Sequence, residues 1–243
     1  MPAFSNPSHS AYEPGESQSS LIAPAIGTWP RFETPLRLAV MASGTGSNFE
    51  ALVAACGQTL DARVELLVVN NEGCGAQARA ERLGILCATF DHRGYTTRED
   101  LDHALVARFR DAGVDGVVMA GWMRIVTPVL IGAFEGRLIN LHPSLLPSFR
   151  GLDAVGQALA AGVSITGCTA HLVTRDVDTG PVIAQAAVPV LAGDTHESLA
   201  SRIHRQEHRL LPWAVALQEL SGGVRDKTVP VAALPSTEGQ PSD

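Results

Sequence analysis

Leu36-Arg37-Leu38-Ala39-Val40-Met41-Ala42-Ser43-Gly44-Thr45-Gly46-Ser47-Asn48-Phe49 runs from an apolar stretch, through a glycine-rich turn, into a segment whose apolar stripe continues at Leu52 and Val53. Seven residues with almost no polar interruption are too short for a buried helix. They read as a strand covered on both faces, which is the pattern of a parallel sheet. The turn that follows aims free backbone amides and the positive end of a helix dipole at whatever lies above the strand. Such a site favours an anion by about 0.3 to 1 kcal/mol, and phosphate is its natural guest.

The same alternation recurs along the chain. Apolar runs at 64–69, 86–90, 114–120 and 137–141 are separated mostly by helical patterns, so the expectation is a Rossmann-like, doubly wound α/β fold with a mostly parallel sheet. Two further strands at 166–173 and 182–188 follow a helix near 154–161, with Gly180-Pro181 marking the turn between them and one of the two open to antiparallel pairing. A long amphipathic helix starts near Thr195 with Asp194 and Glu197 as cap partners. Leu199, Ile203, Leu210, Trp213 and Leu217 carry its stripe, and Pro212 is expected to kink or restart it.

With 243 residues and 45% hydrophobic content, the chain can bury a core in a single domain, placed at 36–220. Residues 1–35, rich in Ser, Pro, Gly and Glu, read as a disordered tail with a short apolar patch at Leu21–Ile26. Residues 221–243 read as a second tail with at most one edge strand around Val229–Leu234. A net charge of −7 disfavours nucleic-acid or anionic-membrane surfaces, and no apolar run is long enough to span a bilayer. Cys56, Cys74, Cys87 and Cys168 show no metal or redox spacing and read as reduced thiols of a cytoplasmic protein. The expected partners are therefore small molecules, with no nucleic acid and no membrane, and the chain is expected to be a monomer or weak homodimer.

Asn140-Leu141-His142-Pro143-Ser144-Leu145-Leu146-Pro147 ends an apolar strand on two polar side chains. Side chains two apart on a strand share a face, so Asn140 and His142 point together. A carboxylate candidate, Asp178, lies downstream in Asp176-Val177-Asp178-Thr179-Gly180-Pro181. An amide donor, an imidazole and a carboxylate can stabilise an oxyanion and move a proton without a nucleophile or metal. A buried His and Asn satisfied by backbone would leave the same letters.

Competing signatures are weaker. A dinucleotide fold asks for Gly where Phe49 stands and an acidic residue where the second strand ends in Asn70-Asn71, and no Gly-Lys-Ser/Thr follows the glycines. His204-Arg205-Gln206-Glu207-His208 matches the letters of a zinc-protease helix, but downstream only Glu219 and Glu238 could complete a ligand set, so no metal is expected. Gly121-Trp122-Met123-Arg124-Ile125 sits at the carboxyl end of the fourth strand, where open α/β sheets bind ligands, and suits a flat heterocycle.

Taken in order, Gly44-Thr45-Gly46-Ser47-Asn48, Gly121-Trp122-Met123-Arg124, Asn140 to Pro147, Asp176 to Pro181 and Gln206-Glu207-His208 closely resemble the phosphoribosylglycinamide formyltransferases. The resemblance covers about residues 36–220. It implies transfer of a formyl group from the co-substrate 10-formyltetrahydrofolate to the amine of glycinamide ribonucleotide in purine synthesis. By the same resemblance Asn140, His142 and Asp178 are the catalytic set. Gly46, Ser47 and Asn48 with Arg98 hold the substrate phosphate, and Glu207 meets its ribose or amine end. The folate lies against Met123, Arg124, Ile125, Val126, Asn140 and the loop from Thr174 to Asp178. Arg150 stands where many relatives carry Pro, and Val155 replaces a His often seen there. Formyltetrahydrofolate hydrolases and methionyl-tRNA formyltransferases share the catalytic half and remain the alternatives.

Overall fold

The computed structural model describes residues 21–218. Eight strands form one sheet: β1 (Ile22–Ala23), β2 (Leu36–Ala42), β3 (Ala62–Val69), β4 (Cys87–Thr89), β5 (Gly116–Met119), β6 (Leu138–His142), β7 (Ile165–Leu172) and β8 (Val182–Pro189). Their order is β1-β8-β7-β6-β5-β2-β3-β4. β2 to β6 pair in parallel, β6 with β7 and β7 with β8 antiparallel, so both of the last two long strands enter antiparallel ladders.

The pleat of β2 explains the layering. Leu38, Val40 and Ala42 fall in one core, with residues of α1 (Ser47–Ala55), α2 (Gly75–Leu83), α5 (Ala154–Ala160) and α6 (His196–Leu217). Ala39 and Met41 fall in the other, with Leu105 and Phe109 of α3 (Arg98–Asp111) and Leu130 of α4 (Pro128–Ala133). Helices thus cover both faces, as the uninterrupted apolar runs require. After β2 the chain winds outward to β3 and β4, then crosses back to β5 on its other side. The crevice between β2 and β5 is the topological switch point where such sheets take ligands.

Three expectations need correction. The stretch read as tail at 1–35 is structured over its described part: Ile22 and Ala23 pair antiparallel with Ala186 and Gln185, Trp29 packs edge-on against Trp213, and Trp213 Nε1 donates to the Pro24 carbonyl at 3.0 Å. The apolar patch at Leu21–Ile26 is short, but a sheet edge needs only two residues to extend its ladder. Residues 1–20 and the tail at 221–243, with its edge strand at Val229–Leu234, lie outside the described residues. The cap of α6 is Thr195 in a capping box with Ser198, not Asp194 with Glu197. Asp194 is taken instead by Arg202, in two bonds of 2.7 and 2.9 Å, and by the Ser198 hydroxyl. Finally, α6 does not restart at Pro212 but continues through it to Leu217. Leu210, Leu211, Trp213 and Ala214 bury into the same core on either side, which offsets the roughly 3 kcal/mol that an internal proline costs.

Candidate active site

Gly46 closes the turn after β2 at φ 77°, a conformation that glycine adopts without penalty. Space demands glycine as well, because a Cβ there would lie 2.6 Å from Ala76 Cα on α2. The turn therefore packs against one helix while opening another, leaving the first amides of α1 above the crevice. Asn48, in the first turn of α1, donates from Nδ2 to Glu207 Oε2 at 2.8 Å, joining α1 to α6. Glu207 is 3% exposed, and burial pushes its carboxyl above the usual range against the opposing pull of Asn48 and the charges of His204 and His142. Its neighbour on the helix, His204 Nε2, is 3.8 Å from Oε2. Among the described residues, no group of three or more His, Cys, Asp or Glu converges with metal-binding geometry. The H-x-x-E-H letters place their Glu against Asn48.

β6 delivers Asn140 and His142 to one face, as the two-residue spacing requires. Asp178 meets both: Oδ2 is 3.3 Å from His142 Nδ1, and Oδ1 is 3.4 Å from Asn140 Nδ2. The turn that aims it is tight. Asp178 itself has φ 53°, and a Cβ on Gly180 would strike the Leu172 carbonyl. Burial raises the Asp178 carboxyl, but hydrogen bonds from His171 and the Gly151 amide, with the charges of His142 and His171, outweigh it and hold the group below its ordinary value. The Gly151 N–H donates to Oδ2 at 2.9 Å, and His142 Nε2 donates to the Phe149 carbonyl at 2.8 Å. Both ring nitrogens of His142 thus face acceptors, and the 149–151 segment folds across the site.

His171 belongs to this group and was missed in the sequence. It lies opposite Asn140 in the β6–β7 ladder, and its Nε2 is 3.1 Å from Asn140 Nδ2 and 3.5 Å from Asp178 Oδ1. Its Nδ1 donates to the Leu172 carbonyl at 2.9 Å, and its Nε2 sits beside both the Asn140 amide and the Asp178 carboxylate. The signal lay in the β7 run, since residues opposite each other share a face, but only the strand register pairs His171 with Asn140.

The loop after β5 carries Met123, Arg124, Ile125 and Val126. Met123 and Ile125 are exposed, and Val126 is buried. Thr174 bonds within its own turn, to the Thr179 hydroxyl and the Asp176 carbonyl. Arg98, expected beside the phosphate turn, opens α3 and lines a cleft of about 130 Å³ with His92, Tyr95, Thr97, Leu101, Arg124 and Ile125. That cleft takes in two residues of the 121–126 loop and none of Gly46–Asn48. A cation that does rest on the glycine turn is Arg79, whose Nε donates to the Thr45 carbonyl at 2.8 Å. Of the two departures from the family pattern, Val155 packs into the core, while the Arg150 carbonyl accepts from Gln157 Nε2 at 3.1 Å.

A glycine turn opening a helix after β2, and an amide, imidazole and carboxylate set at the end of β6, fit a class of group-transfer enzyme. Residues 36–215 match the formyl transferase family, and the chain belongs to it. It is 41% identical over 177 residues to phosphoribosylglycinamide formyltransferase of Bacillus subtilis, covering 72% of this chain and 91% of that one. It is 42% identical over 183 residues to the trifunctional purine biosynthetic protein adenosine-3 of Gallus gallus, covering 75% of this chain; the chain spans 18% of that protein's length. Among solved structures it is similar to glycinamide ribonucleotide transformylase 1 of Symbiobacterium toebii, with a TM-score of 0.73 and 43% identity over 74% of this chain and 86% of that one.

Proposed function

We propose that this chain transfers the formyl group of 10-formyltetrahydrofolate to the amine of glycinamide ribonucleotide. The observation that carries the reading is the convergence of Asn140 and His142 on Asp178, each within 3.4 Å, at the end of β6, with Glu207 bonded to Asn48 just after the glycine turn and subject to the His142 charge. The neutral amine attacks the formyl carbon, forming a carbon–nitrogen bond and a tetrahedral oxyanion. Asn140 Nδ2 and His142 donate to that oxygen, the former in place of its 3.4 Å bond to Asp178 and the latter as the Phe149 carbonyl gives way. A water held by Asp178 carries the proton from the attacking nitrogen to the departing folate nitrogen. The carbon–nitrogen bond to the folate then breaks and tetrahydrofolate leaves.

The amides of Gly46, Ser47 and Asn48 hold the ribonucleotide phosphate, and Glu207 takes its ribose or amine end. The exposed apolar side chains of Met123 and Ile125 with the 174–178 turn receive the pterin. Arg98 is better assigned to the folate side than to the phosphate: with Arg124 it offers two guanidinium groups to the anionic tail of the donor. The test is turnover in Asn140→Ala and His142→Ala proteins whose melting and circular dichroism match the parent. Turnover is expected to fall roughly 10² to 10³-fold, the scale for removing one oxyanion donor. Near-normal turnover in either folded variant would overturn the assignment.

A further inference from the structure

Ser43 is buried just past the end of β2 and makes three bonds to two other segments, the loop after β5 and Asn71. Its N–H donates to the Gly121 carbonyl at 3.0 Å, its Oγ accepts from the Met123 N–H at 2.9 Å, and its carbonyl accepts from Asn71 Nδ2 at 2.8 Å. The first bond extends the β2–β5 ladder one step past Ala120, whose N–H donates to Met41. Gly121, at φ 82°, then turns the chain out of the sheet, and there the Ser43 hydroxyl takes hold of it again at Met123. Four residues on, the Thr127 N–H donates to the buried Asp102 carboxylate at 2.6 Å. The 123–127 segment is thus pinned at both ends by polar side chains, with the exposed Met123 and Ile125 between the pins. Ser43 also begins the turn that leads to Gly46–Asn48.

We propose that Ser43 is a positioning residue that fixes the donor-binding loop to the acceptor-binding turn and so sets the approach of the amine to the formyl carbon. The proposal rests on the functional reading above. In that reading the two reactants sit on the two segments that this one hydroxyl joins, and a displacement of order 1 Å between reacting groups costs up to about 10²-fold in rate. Ser43→Ala keeps both backbone bonds, and therefore the strand and the fold, but leaves the Met123 amide without its acceptor.

The experiment compares wild type, Ser43→Ala and Ser43→Thr in steady-state formyl transfer, varying 10-formyltetrahydrofolate and glycinamide ribonucleotide separately, with hydrogen exchange of the Met123 amide read alongside. For Ser43→Ala the expected result is a fall of roughly tenfold in kcat/KM for the donor, an acceptor KM within about twofold of wild type, and faster exchange at Met123. Ser43→Thr, which keeps the hydroxyl, should recover most of the loss. A merely structural role would lower the melting temperature and raise the KM of both substrates alike. Donor kcat/KM within twofold of wild type in folded Ser43→Ala, or a matched rise in both KM values, would overturn the proposal. If wild type itself transfers no formyl group, the functional reading fails, and that result is distinct from an active wild type with an unaffected variant.

Discussion

Asp178 is the residue on which the site's electrostatics turn, because it alone touches Asn140, His142, His171 and the 149–151 segment. Its carboxyl is held below the ordinary value, so the native state binds that proton less readily than the unfolded chain. The stabilisation is therefore fully present above the unfolded carboxylate value near about 4 and is lost as pH falls through the lower native value. Asp178→Asn should remove that acid-side contribution, flattening the fall in melting temperature below about pH 4, and should also depress turnover because the water has lost its acceptor. Melting curves between pH 3 and pH 6 check the first part; an unchanged acid limb would count against the assigned partners. Asn140, His142 and Asp178 were legible in the sequence since two-residue alternation and a family motif suffice to name them. His171 was not, because its partner is decided by register across strands. Arg98, expected at the glycine turn, lines a cleft with Arg124 and Ile125, because nothing local in Thr97-Arg98-Glu99 says which loop α3 will face.

At the scale of elements, the strand and helix order could be read from apolar runs and caps, and most boundaries fall within two residues of those expected. What could not be read were features made by distant pairing. β1 exists because β8 offers an unpaired edge, and a two-residue strand leaves no periodicity to detect. The cap of α6 went to Thr195 because Arg202 and Ser198 claim Asp194. Removing residues 1–33 tests the worth of the edge segment. Burial of Ile22, the Trp29–Trp213 edge contact and the Trp213 bond to Pro24 would be lost, for an expected cost of about 2 to 4 kcal/mol in denaturant unfolding. Since β1 is an edge strand separated from β6, β5 and β2 by β8 and β7, kcat of the truncated chain at 25 °C should stay within about twofold of the parent. A large loss of kcat without a loss of stability would tie the segment to the site instead.

On the scale of the whole molecule, a sheet covered on both faces leaves its reactive surface at the switch point, where loops after β2, β5 and β6 converge without any of them needing to be long. One loop offers amides to an anion, one offers apolar and cationic side chains, and β6 supplies the groups between them. That division into an acceptor half and a donor half is tested by following the carbon itself. Wild-type protein is mixed with 10-formyltetrahydrofolate labelled with ¹³C in the formyl group, with and without glycinamide ribonucleotide, and the label is followed by NMR and mass spectrometry. The expected result is label appearing in the formamide of the ribonucleotide, one for each tetrahydrofolate released, and negligible release without the acceptor. Label appearing as formate at the same rate whether or not the ribonucleotide is present would contradict it.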